Sequence, residues 1–178
     1  FGSSFSQKLL KLSSWVYAHP PIPIPVTSAV MLAASSTITL AGARQIVEAG
    51  VKEAEKQGFK VTVAVCDAGG HLLALHRMDG VMPVSAEVAA GKARSAALFA
   101  RETKILEGSV NGEKSAGAER SALLSSGHVL MEGGVPIIDP AHGRIVGACG
   151  VSGVKPNEDA AVAKAAVEAL LKAPAARL

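Results

Sequence analysis

The residues best able to do chemistry in this 178-residue chain are five histidines, two cysteines and a few charged side chains set beside glycines. His71 and His76 lie five apart on one expected strand, so they face opposite sides of it and cannot share a metal. His128 and His142 flank the Gly133-Gly134 segment and the loop of the second expected hairpin, and His142 reads as a solvated turn residue. No HxxxH, HExxH or CxxC spacing occurs, which leaves a zinc site little support. Arg77, in Arg77-Met-Asp-Gly80, closes an expected strand and could fork onto a carboxylate; an ion pair with Asp79 or Glu87 is the plainer alternative. Lys92 sits mid-helix among Ala and Gly, suited to holding an anion or simply to pointing at water.

Two glycine segments carry more information. Glu132-Gly-Gly-Val-Pro136 places permissive backbone just before a strand, and Gly147-Ala-Cys-Gly-Val-Ser-Gly153 runs through a strand into a turn. Small residues at such places permit the close approach of a flat ligand or of another backbone. Neither segment has a nucleotide-binding glycine pattern, and Glu158 and Asp159 put negative charge where a phosphate would sit at a helix start. Ser152 lacks the flanks of a nucleophile elbow.

The elements that must position these groups follow from periodicity. Leu40, Ala43, Val47, Val51 and Ala54 recur at helical spacing before Gly58. Val61-Thr-Val-Ala-Val-Cys66 reads as a strand, Asp67-Ala-Gly-Gly70 as a turn, and 71–77 as the return strand. A helix is expected over 85–100 with Ser85 as its N-cap, then shorter ones over 103–109 and 113–126. A second hairpin spans 135–138 and 144–151 across Asp139-Pro-Ala-His-Gly143, and a last helix starts near Asn157 and ends before Pro174. Two hairpins make antiparallel pairing, so an α/β (α+β) domain with one antiparallel sheet, four or five strands wide and flanked by helices, is expected.

Residues 1–38 differ from the rest. His19-Pro-Pro-Ile-Pro-Ile-Pro25 cannot be helical and reads as a polyproline-like spacer. The apolar stretch 26–34 is too short to span a bilayer. This segment is read as an expression remnant or an arm that packs on a partner subunit, ahead of a domain over 39–178. The formal net charge of +3 is too small and dispersed for a nucleic-acid footprint, and a membrane partner is likewise not expected. Hydrophobic residues at 49% exclude a disordered chain, and aromatics at 3% leave few rings for stacking. Cys66 and Cys149 each sit in an apolar run and read as buried free thiols, favouring a reducing compartment.

Taken in order, Val65-Cys-Asp-Ala-Gly-Gly70 with Leu72, Arg77-Met-Asp-Gly80, Lys92-Ala93, Thr103, Gly133-Gly-Val-Pro136, Gly147-Ala-Cys-Gly-Val-Ser-Gly153 and Glu158-Asp159 resemble the GlcG/HbpS family of haem-binding proteins over residues 39–172. The resemblance implies a profilin-like fold with a five-stranded antiparallel sheet, assembly into homo-oligomers from dimers to octamers, and haem as the cofactor. It implies a haem site with Thr103 or a nearby histidine as the iron ligand, and with Arg77, Lys92, Gly133 and Gly134 around the cofactor. A second reading is an enzyme acting by acid–base chemistry on a small carboxylated or carbonyl substrate. There Arg77 and Lys92 would hold the anion while Asp67, Glu132 or a histidine moved protons. The two readings separate on whether Arg77, Lys92 and a carboxylate share one pocket. A cytoplasmic location is expected, with secretion left open by the family's secreted branch.

Overall fold

The structure, a computed structural model, describes residues 35–111 and 127–172. The expected helix over 113–126 and everything read from residues 1–34 lie outside the described residues. In chain order the elements are α1 (Leu40–Lys56), β1 (Thr62–Asp67), β2 (Leu72–Arg77), α2 (Ser85–Phe99), α3 (Thr103–Asn111), β3 (Gly134–Ile138), β4 (Ile145–Ser152) and α4 (Pro156–Lys172). This is a mixed α/β fold. Among the described residues the sheet has four strands, within the four or five expected from spacing and one fewer than the resemblance implies, in the order β2-β1-β4-β3. Every pairing is antiparallel.

Three layers result. α1 and α4 pack side by side on one face, α1 over β1 and β2 and α4 over β3 and β4, while α2 covers the other face. The central strand therefore has no wet side. Val61, Val63 and Val65 point into the core beneath α1 and α4, with Ile46, Val47, Val151 and Val162. Cys66 and Ala148 point the other way, against Ala93, Ala96 and Ala97 of α2. A strand covered on both faces is apolar throughout rather than alternating, which is why 61–66 carries no charged residue.

The second interface explains the scarcity of large side chains. A Cβ added at Gly150 of β4 would overlap the Ala89 carbonyl oxygen and crowd the backbone of Ala93, so strand and helix meet backbone to backbone. The opposite interface is built of Val, Ile and Leu, and the molecule thus has one thick core and one thin one.

Local signals set most element ends. Thr39 caps α1, its hydroxyl accepting from the Gly42 amide at 3.1 Å. Before it, Ile38 is buried in the main core, and its amide donates to the Val146 carbonyl at 2.7 Å. At α2 the expected cap is corrected: Val84 holds the N-cap position without a side-chain bond. Ser85 is buried and its hydroxyl is 2.6 Å from that of Thr62 in β1, so tertiary pairing takes the group that would have capped the helix. His71 falls in the turn ahead of β2, not on the strand.

Both cysteines are free and buried. Burial pushes the Cys66 thiol up to about 11 and the Cys149 thiol up to about 12, so neither forms the reactive thiolate near neutrality. Iodoacetamide at neutral pH is expected to leave both unmodified in the folded protein and to alkylate both in urea, as read by mass spectrometry. A Gly150→Ala substitution is expected to destabilise the fold by about 3 kcal/mol, measured by urea unfolding, because backbone rather than a flexible side chain stands in the way.

Candidate functional site

The glycine segment 133–134 lies where α2, α3, β4 and α4 converge, and the side chains around it are fully enclosed. Lys92, at the middle of α2, has no exposed surface. Its ammonium donates to Asp159 Oδ2 at 2.8 Å and to the Val151 carbonyl at 3.0 Å. Asp159 is in the first turn of α4, and its other oxygen accepts from the Val154 amide at 3.1 Å. Burial raises the Asp159 carboxyl above its ordinary value, against the opposing pull of the Lys92 ammonium. Lys92 thus already has its anion, from within the chain.

Gly133 is the floor of this pair. Its φ of +127° is one that L side chains rarely adopt, and an added Cβ would stand 2.8 Å from both Lys92 Nζ and the Val151 carbonyl oxygen. At Gly134 a Cβ would press on the Lys92 carbonyl and on Thr103 Cγ2, the latter at 2.7 Å. Thr103, fully buried at the start of α3, accepts from the Gly134 amide through its hydroxyl at 2.8 Å. Of the two readings for these glycines, the close neighbour is protein.

The other sequence candidates stand apart. Glu132 holds Lys104 at 3.0 Å, while its amide donates to Glu107 of α3 at 2.7 Å. Asp67 ends β1 and accepts from the His71 amide at 2.8 Å. That bond, reinforced by the His71 imidazole, holds its carboxyl below the ordinary range, which suits a turn clamp better than a proton carrier. Arg77 is exposed at the far end of the hairpin and pairs in register with Thr62, five residues along β1 from Asp67, roughly 16 Å at strand rise. It makes no ion pair with Asp79 or Glu87 among the described residues. The structure therefore brings Lys92, Thr103, Gly133 and Gly134 together and leaves Arg77 and Asp67 at opposite ends of the sheet. An anion held jointly by Arg77 and Lys92 has no site here.

His128 is the histidine for which the structure adds most. Among the described residues its Nδ1 is buried with no hydrogen-bond partner, and its ring meets Phe99 edge to face at 5.1 Å. The next residue is fastened to α2: the Val129 amide donates to Ser95 Oγ at 2.9 Å, and the Val129 side chain fills the space over Gly91. With Val129, Leu130, Met131, Glu107, Val110 and Asn111, His128 lines a cavity of about 350 Å³. No spacing rule flags a lone histidine, and only the absence of a partner singles it out. His142, by contrast, is 2.7 Å from Asp139 in an exposed turn.

The family model described as "Haem degrading protein HbpS-like" matches residues 38–168. The chain belongs to the HbpS-like family. Protein GlcG of Escherichia coli K12 is 47% identical over 101 residues, which are 57% of this chain and 70% of GlcG. Among solved structures, the Klebsiella pneumoniae protein ORFY superposes with a TM-score of 0.74 at 27% identity, over 82% of this chain and 98% of that one. A structure described as a PduOC:heme complex superposes at 0.68 with 26% identity, over 75% of this chain and 94% of that one. This HbpS-like chain shares with them a fold over nearly their whole length.

Removing one partner of a buried pair leaves the other charge stranded, typically at about 3–5 kcal/mol. Lys92→Met is expected to lose that much stability in urea unfolding. The Lys92→Met/Asp159→Leu double variant is expected to recover at least half of it, since an apolar pair strands nothing.

Proposed function

We propose that this HbpS-like chain binds haem, or a related tetrapyrrole, in the cavity between α3 and residues 128–131, where His128 would hold the iron. The observation that carries this reading is the orphaned imidazole nitrogen at an apolar cavity wall. Such a nitrogen costs about 1–3 kcal/mol while nothing satisfies it, and an imidazole is a common haem ligand. A group fits here if it brings its own equatorial ligands. Among the described residues no three His, Cys, Asp or Glu side chains gather to hold a bare metal ion. The walls supplied by Val110, Val129, Leu130 and Met131 suit the faces of a macrocycle.

Bound haem would supply iron-centred redox chemistry; the chain's part is to hold and shield it. Thr103, one ligand implied by the family resemblance, has its hydroxyl committed to the Gly134 amide, so its role in this reading is to position the segment that carries His128. Lys92, Gly133 and Gly134 serve the same end. A profilin-like arrangement, with a fifth strand and assembly into a homo-oligomer, belongs to this proposal. The exposed Leu72, on the edge strand β2, and Leu98, which packs over Gly70, support self-association. The haem complex of a structural neighbour supports the ligand class.

Titration of hemin into the purified protein is expected to give a saturable Soret band. His128→Phe keeps the ring contact with Phe99 and removes the orphaned nitrogen. It is expected to weaken hemin binding at least about tenfold while leaving the apo fold as stable or about 1 kcal/mol more so. A flat titration, or equal binding by the variant, would overturn the assignment.

A further inference from the structure

A second cavity, of about 670 Å³, opens where the first hairpin ends beside α1, and two charges of each sign line it: Lys60 and Arg77, Glu55 and Asp79. Opposite charges on one small surface ordinarily pair. Here none of the four makes an ion pair among the described residues, although the fold holds each of them at the same opening. Their anchorage is firm. Arg77 lies opposite Thr62 in the ladder, the Met78 amide donates to the Val61 carbonyl at 3.1 Å, and the Val61 amide reaches Met78 Sδ at 3.5 Å. The Lys60 carbonyl lies close against Gly153, where an added Cβ would overlap the oxygen. The Lys60 ammonium lies over Gly80, where an added Cβ would stand 3.0 Å away and where φ is +77°. Val51 and Met78 give the same cavity an apolar floor.

We propose that this cavity binds a small zwitterion with an apolar tail, that is, a free amino acid of the aliphatic class. Its carboxylate bridges Lys60 and Arg77, with the guanidinium offering two parallel donors. Its ammonium lies between Glu55 and Asp79, and its tail covers Val51 and Met78. Charges of both signs that face one gap without closing it are complementary to a ligand that carries both, and a ligand with only one leaves a pair unanswered. This site is separate from the cavity at His128 and does not depend on the haem reading.

The test is a titration with leucine followed by amide chemical shifts, with 4-methylpentanoate and isopentylamine as analogues lacking the ammonium or the carboxylate. Leucine is expected to produce saturable shifts at the amides of Lys60, Met78 and Asp79. Each analogue, and each of Arg77→Met and Glu55→Gln, is expected to bind at least about tenfold more weakly, the usual weight of one charge-assisted contact. The substituted side chains are exposed, and an otherwise unchanged amide spectrum establishes that each variant is folded. Absence of saturable shifts, an analogue that binds as tightly as leucine, or folded variants that bind as the parent does would each overturn the proposal.

Discussion

A lysine and an aspartate enclosed together at the meeting point of four elements set the terms for the rest of this molecule. Lys92 comes from α2 on one face of the sheet and Asp159 from α4 on the other side of β4's end, and the ammonium also bonds to a β4 carbonyl. Desolvating two charges is expensive, and their attraction offsets the cost only where the remaining donors and acceptors are filled as well. Here Lys92 also donates to the Val151 carbonyl, Asp159 takes the Val154 amide, and Gly133 gives up its side chain so that the pair can close. A pair of this kind adds less to stability than to uniqueness. It admits one relative placement of α2, β4 and α4, because any other strands a charge.

The thin core between α2 and the sheet obeys the same constraint. Lys92 can reach through to Asp159 only if its helix lies close to β4, and Gly150, Ala148, Ala93 and Ala96 provide that closeness. The light, aromatic-poor composition is therefore concentrated where backbones must touch, while the opposite face keeps a conventional core of valine and isoleucine. The segment 128–134 is then laced to the two helices beside it through Ser95, Thr103 and Glu107. One consequence bears on function. With so few rings available, a tetrapyrrole at the proposed His128 site would have Phe99 beside its ligand and aliphatic walls rather than an aromatic sandwich.

The elements were largely readable in order. The 3.6-residue apolar period from Leu40 to Ala54 marked α1, and the β-branched run 61–66 bounded by Asp-Ala-Gly-Gly marked a hairpin, since both signals act over a few residues. Ser85 misled because a hydroxyl ahead of a helix is also a hydrogen-bonding group for whatever packs against it, and Thr62 does. Lys92 carried two opposed expectations, and the answer was neither: it is buried and it holds an anion that the chain itself provides. Nothing in the sequence set His128 apart from the other histidines, because a missing partner is a property of the surroundings and not of the residue.

What the amino-acid sequence determined by itself is the order of helices and hairpins, the antiparallel sense of the sheet and membership of the HbpS-like family. Each rests on local spacing or on an ordered set of short motifs. What only the tertiary structure decided is which polar groups meet. Lys92 and Asp159 are 67 positions apart, and Thr103 and Gly134 are 31 apart. Arg77 is parted from Lys92 and lines a different cavity with Lys60. The reason is physical: a charged or polar side chain takes its role from the groups that share its desolvated space, and that space exists only once the layers have packed.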